Sequence, residues 1–163
     1  MHKNIFNKLE LLDIKYENYS HEQVFTVAEA DSIDSSIDTQ ATKNLFVKDK
    51  KKNFYLITLQ ADKTINLKSV AKQIEAKGNS LSFASPDDLK LMLNLTPGSV
   101  TPFGLLYAQE NGFNIKFFLD EDVYNAPTLG IHPMRNDMTT VLSNKSLEKL
   151  LNSVNIDCNL INF

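Results

Sequence analysis

The stretch "NLFVKDKKKNFYLITLQ", Asn44 to Gln60, decides the fold. Leu45, Phe46 and Val47 lead into a charged turn, and Phe54 to Leu59 is rich in aromatic and β-favouring residues. Two such runs around a polar tip predict a β-hairpin. The tip carries Lys48, Lys50, Lys51 and Lys52, which reads either as a solvated turn or as a local basic patch able to meet RNA.

Outward from the hairpin, helices and short strands alternate. Ile5, Phe6, Leu9 and Leu12 recur at helical spacing and predict an opening amphipathic helix. "QVFTVAEA", Gln23 to Ala30, reads as a short strand, and "ADSIDSSIDTQ" after it as a polar loop. "NLKSVAKQIEAKG" predicts a helix with Leu67, Val70, Ala71 and Ile74 on one face and Gly78 as its stop. "SLSFAS" is a brief strand. In "SPDDLKLML" Ser85 is the cap, Pro86 suits the first turn, and Asp87 and Asp88 suit the positive helix end. "LLYAQENGFNIKFFLD" shows two apolar runs around Asn111-Gly112, the pattern of a second hairpin. "MTTVLS" reads as a strand, "NKSLEKLLNSV" as a helix, and "NIDCNLINF" as a short final strand. The expectation is a single α+β domain over residues 1–163, with a curved, mostly antiparallel or mixed sheet flanked by helices.

Composition bounds the function. The 163 residues are 42% hydrophobic and 23% charged, with a net charge of −3, so nucleic-acid contact would need a local patch. One cysteine, Cys158, allows no internal disulfide and fits a reducing compartment. No run approaches the roughly 18 apolar residues of a membrane span, and the N-terminus lacks the apolar centre of a signal peptide. A cytoplasmic protein without a membrane partner is expected.

Catalytic motifs are scarce. His2, His21 and His132 show no zinc-ligand spacing, and there is no GxSxG elbow and no phosphate-binding glycine loop. Three polar spots remain. Lys43 in "ATKNLF" is either an ordinary solvated lysine or a cation aimed at a phosphate or carboxylate. "LTPGSVTPFG" is a stiff loop suited to a pocket wall, although Ser99 also suits a plain turn. "GIHPMRN", Gly130 to Asn136, sets His132 against Pro133, with Arg135 and Asn136 as donors; a histidine there is structural or functional.

Taken together, "VFTVAEA", "TKNLFVKDKKKNFYLITL", "LSFASPDDL", "LTPGSVTPFGLL" and "GIHPMRNDMTTV" resemble the YbaK/prolyl-tRNA-synthetase-associated editing-domain family. Within it the chain is most similar to the free-standing ProX/PrdX-type Ala-tRNA(Pro) deacylases. The resemblance implies a trans-editing enzyme that hydrolyses the ester of mischarged Ala-tRNA(Pro), without cofactor or metal. A synthetase pocket built for proline rejects alanine by only about 1–3 kcal/mol, too little for fidelity, so a second site is needed. By resemblance Gly130 and His132 belong to the catalytic GxHP motif. The same resemblance implies that Lys43, Asn44, Ser99, Thr101, Phe103, Pro133 and Asn136 line the substrate site. The partner it implies is the acceptor end of tRNA and not DNA, with prolyl-tRNA synthetase or an elongation factor as candidate assistants. A ribose hydroxyl of the terminal adenosine is expected to help activate water. One departure stands out: Asp137 occupies a position where the family pattern has threonine, which opens a different small amino acid as substrate. A non-catalytic tRNA-binding homologue is the other alternative.

Overall fold

The computed structural model describes residues 2–23 and 39–163. The expected strand in "QVFTVAEA" and nearly all of the polar loop after it lie outside the described residues. Among the described residues eight strands form one mixed sheet: β1 (Tyr16–Ser20), β2 (Gln40–Lys48), β3 (Phe54–Gln60), β4 (Ser82–Phe83), β5 (Ile115–Asp120), β6 (Thr128–Ile131), β7 (Met138–Ser143) and β8 (Cys158–Ile161). Their order is β1-β7-β6-β2-β3-β5-β8, with β4 paired to β2 off this path. The β2–β3 hairpin pairs Thr42 with Gln60 through to Lys48 with Phe54. β3 and β5, β5 and β8, and β2 and β6 run parallel, while β1 and β6 each pair antiparallel with β7. The α+β expectation holds, with a mixed sheet.

The hairpin reads as apolar on both faces because both are covered. Leu56 and Phe46 face the larger core, which gathers Ile5 and Leu9 from the His2–Leu11 helix, Leu89 and Leu93 from Pro86–Leu93, Leu105 from Gly104–Glu110, and Leu147 and Leu150 from Asn144–Asn152. Val47, Tyr55, Ile57 and Leu59 point the other way, onto Val70, Ala71 and Ile74 of the Leu67–Gln73 helix. Alternation along the strand thus feeds two cores, and β3 is buried from Tyr55 to Leu59.

Helix ends follow local chemistry. Ser85 caps its helix in a capping box with Asp88, and Ser143 caps the Asn144–Asn152 helix. Two expectations are corrected. Gly78 does not stop the Leu67–Gln73 helix. The helix ends at Ile74, where the next residue, Glu75, turns left-handed at φ 57°, and Ala76 N–H donates to Ala71 O. Gly78 instead sits at φ 74° in the following 3-10 turn, under the stem of Lys50. Nor is Asn111-Gly112 a hairpin turn. Residues 104–110 are helical, with Leu105, Leu106 and Ala108 buried, and Asn111 caps this helix before the chain enters β5. An Asn-Gly pair signals a left-handed turn; whether a strand or a helix enters it depends on which face the preceding apolar run can bury.

The tip of the hairpin is organised by a buried carboxylate. Asp49, 5% exposed, accepts hydrogen bonds from Lys51 N–H, Asn53 N–H, the Asn53 amide, the Tyr55 hydroxyl at 2.8 Å and Lys77 N–H. Burial would raise its pKa, but the bonds from Asn53, Lys77 and Tyr55 prevail and hold it far below its ordinary 3.8. Burial and the neighbouring Asp49 push the Tyr55 hydroxyl up to about 12. Lys50, Lys51 and Lys52 remain exposed, while Lys48 reaches Asp88 at 3.4 Å.

Because the folded pKa of Asp49 is depressed, its contribution to stability is fully present above its unfolded value near 3.8 and is lost as pH falls through the lower folded value. Asp49→Ala leaves the buried Tyr55 hydroxyl unpaired, at a cost of roughly 1–3 kcal/mol for that group alone. Urea unfolding at neutral pH should show this loss, and the gap between wild type and variant should narrow below pH 3.8.

Candidate functional site

The GxHP stretch is the turn of the β6–β7 hairpin. Gly130 and Ile131 end β6, and the chain re-enters the sheet at Met138. Pro133 is buried and is followed by Met134 at φ 65°, the proline-then-left-handed pattern of a type II turn. "TPGS" makes the same kind of turn: Gly98 has φ 90° after Pro97, and Ser99 N–H donates to Thr96 O at 3.0 Å.

β2 and β6 meet at the site. Ala41 is in register with Gly130, so alternation places Lys43 on the face toward which the bare Cα of Gly130 points. The Thr42 hydroxyl donates to Gly130 O at 2.8 Å and ties the two strands just past their last paired residues. The half-buried Lys43 directs its ammonium to the carbonyl of Lys63. Lys63 in turn pairs with the buried Asp120 at 2.8 Å and with Asp122 at 2.7 Å. Asn44 lies on the opposite face, where its side-chain oxygen accepts from the buried Thr58 hydroxyl at 2.5 Å.

His132 donates from Nδ1 to the carbonyl of Met138 at 3.1 Å, since a carbonyl can only accept. That bond selects the tautomer and leaves Nε2 as an acceptor in the neutral ring. Burial lowers the His132 pKa below 6.5, and the nearby His21 adds to this against the opposing pull of the Met138 carbonyl. His21 joins the candidate site, although the sequence reading did not single it out. Its ring lies 6.4 Å from that of His132, edge to face. Its Nδ1 donates to Glu22 O at 2.7 Å, and its Nε2 bonds Thr139 Oγ1 at 2.9 Å. Its N–H donates to Asp137 O at 2.9 Å. The separation of 118 residues between His21 and Thr139 carries no sequence signal.

Asp137 is held by its own loop. Its carboxylate takes Nε of Arg135 and, at 2.6 Å, Nη2, and this pairing with Arg135 lowers its pKa. The Arg135 donors are therefore directed to Asp137. Asn136 is 9% exposed.

The "PGSVTPF" loop is placed more deeply than a pocket lining implies. Ser99 and Thr101 are buried, the Thr101 hydroxyl accepts from Phe103 N–H at 3.4 Å, and Phe103 is 1% exposed in the larger core. The loop still meets the GxHP turn, because Phe103 and Met134 line one cleft of about 190 Å³ with Leu106 and Tyr107. The structure thus brings the Lys43 strand to Gly130 and the Phe103 loop to Met134, on opposite faces of the sheet. Among the described residues no group of three or more His, Cys, Asp or Glu side chains is arranged to hold a metal, and no helix is long and apolar enough to cross a membrane.

Comparison with known proteins gives the family. Residues 21–150 match the aminoacyl-tRNA editing domain. The prolyl-tRNA editing protein ProX of Acetoanaerobium sticklandii is 34% identical over 90% of this chain and 88% of its own. The bovine prolyl-tRNA synthetase associated domain-containing protein 1 is 33% identical over 96% of this chain and 91% of its own. A crystal structure proposed to be a trans-editing enzyme for prolyl tRNA synthetase superposes with a TM-score of 0.72 at 17% identity, covering 99% of this chain and 94% of that one. That likeness bears on the fold.

The anchored ring of His132 has a spectroscopic consequence. Nitrogen NMR of labelled protein should show the Nδ1-protonated tautomer, with a titration midpoint below 6.5. An Nε2-protonated ring, or a midpoint above that value, would contradict the geometry.

Proposed function

The chain belongs to the aminoacyl-tRNA editing domain family, and from that premise we propose that it is a free-standing deacylase that hydrolyses mischarged Ala-tRNA(Pro). The reading is carried by one junction: in a chain 34% identical to a prolyl-tRNA editing protein, Thr42 binds Gly130 O and so joins the Lys43 strand to the Gly130–His132 turn.

Chemically, water adds to the ester carbonyl, the tetrahedral intermediate expels the ribose oxygen, and free alanine and tRNA(Pro) with its hydroxyl restored are released. In this proposal a ribose hydroxyl of the terminal adenosine helps to deprotonate the water. The neutral His132 offers Nε2 as an acceptor that orients the aminoacyl end. Backbone N–H groups near Gly130 stabilise the oxyanion. Lys43 supplies charge for the terminal adenosine and its phosphate. Asn44, Ser99, Thr101, Phe103, Pro133 and Asn136 shape the site; Thr101 and Phe103 do so from within the core, and Asn44 from the opposite face of β2 through its bond with Thr58. The carboxylate of Asp137 is held by Arg135, which favours alanine over an amino acid that would need a polar partner there. Substrate contact is confined to the acceptor end, and prolyl-tRNA synthetase or an elongation factor would deliver the tRNA in the cytoplasm.

The test is single-turnover hydrolysis of alanyl-, seryl- and prolyl-tRNA(Pro). Alanine should be released fastest and proline left intact; an active-tRNA preparation from which no alanine is released defeats the reading. Removing a general base slows catalysis by about 10²–10⁴-fold. His132→Ala, with a positioning role, should instead lower kcat/KM by only about tenfold, and Lys43→Ala should raise KM more than it lowers kcat.

A further inference from the structure

Gly130 lies in extended backbone, so its lack of a side chain answers a demand for space. A Cβ at this position would stand 3.0 Å from Thr39 Cγ2 and 3.0 Å from Thr139 Cγ2. Two methyl groups, one from the chain entering β2 and one from β7, close over the bare Cα. Each is held in place by its own hydroxyl. Thr139 Oγ1 bonds His21 Nε2 at 2.9 Å, and Thr39 Oγ1 bonds Thr128 Oγ1 at 2.9 Å. A threonine side chain has a single stiff torsion, so a hydroxyl fixed on one side fixes the methyl on the other.

We infer that the Thr39 and Thr139 methyls form the size-limiting wall of the aminoacyl site, with His21 and Thr128 as the positioning residues that hold them. The inference rests on the deacylase reading and identifies what that site measures. The wall adjoins the catalytic turn: the His21 ring that anchors Thr139 lies 6.4 Å from the His132 ring, and Thr42 grips the carbonyl of the same glycine. With both hydroxyls bonded elsewhere, the surface over Gly130 is made of methyl carbon. It suits a small aliphatic side chain and gives a larger one no room. A pocket discriminates a single methylene by about 10–200-fold, so one wall methyl is enough to set the size limit.

Three esters of tRNA(Pro), carrying alanine, 2-aminobutyrate and proline, test this with Thr39→Ser, Thr139→Ser and Thr139→Val. The serine variants keep the hydroxyl and lose the methyl. Each should raise the 2-aminobutyryl to alanyl ratio of kcat/KM by about tenfold or more. Thr139→Val keeps a methyl but loses the hydroxyl bond to His21, so its ratio should fall between those of wild type and Thr139→Ser. An active wild type with serine variants at the wild-type ratio overturns the wall alone, and so does a valine variant that behaves like serine. A wild type inactive on all three esters overturns the deacylase reading and the wall with it.

Discussion

Strand β2 has one edge filled by β3 from Thr42 to Lys48, whereas its other edge is divided. Gln40 and Ala41 pair with β6, and Val47 and Lys48 pair with β4. Between these two partners the sheet changes neighbours, and backbone hydrogen bonding cannot continue as a ladder. Side chains take over there: the Thr42 hydroxyl reaches Gly130 O. A sheet that must accept a parallel partner at one end of a strand and an antiparallel one at the other opens at the change, and polar groups and a glycine collect at that opening.

The two cores follow from the same strand. Because β2 and β3 are central, both their faces need cover, and helices supply it unequally. Among the described residues, the helices His2–Leu11, Pro86–Leu93, Gly104–Glu110 and Asn144–Asn152 serve the larger core and the Leu67–Gln73 helix serves the smaller. Buried carboxylates handle the places where this packing would strand polar groups. Asp49 collects the donors of the hairpin tip. Asp120 receives Gln60 N–H at 3.1 Å, the Lys63 ammonium and Asp122 N–H, closing the end of β3 and the start of the Glu121–Tyr124 helix. Lys63, through its carbonyl, also holds the ammonium of Lys43, so the charge on the site face is positioned from this cluster.

Local signals were legible wherever the chemistry is local. The hairpin, the Ser85 cap and the Pro97-Gly98 turn each follow from residues a few positions apart. Asn111-Gly112 misled because a turn signal does not say what enters it. Gly78 misled because Glu75 accepted the left-handed conformation earlier. In the site, Gly130, His132 and Lys43 were readable as a pattern. The burial of Thr101 and Phe103 was not, since it depends on which face of the sheet a loop crosses. The pairing of Arg135 with Asp137, two residues on in the same loop, is local and went unread because either side chain could equally have faced solvent.

The sequence by itself determined the alternation of strand and helix, the α+β class, the family and the three stretches that make up the proposed site. Tertiary structure alone decided that His21 stands beside His132, that Thr39 and Thr139 meet over Gly130, and which face of the sheet Lys43 and Asn44 each take. The physical reason is reach. Propensity, capping and turn geometry act over a few residues, whereas strand register joins residues about a hundred positions apart. A one-residue change in that register would turn each of these side chains to the other side of the sheet.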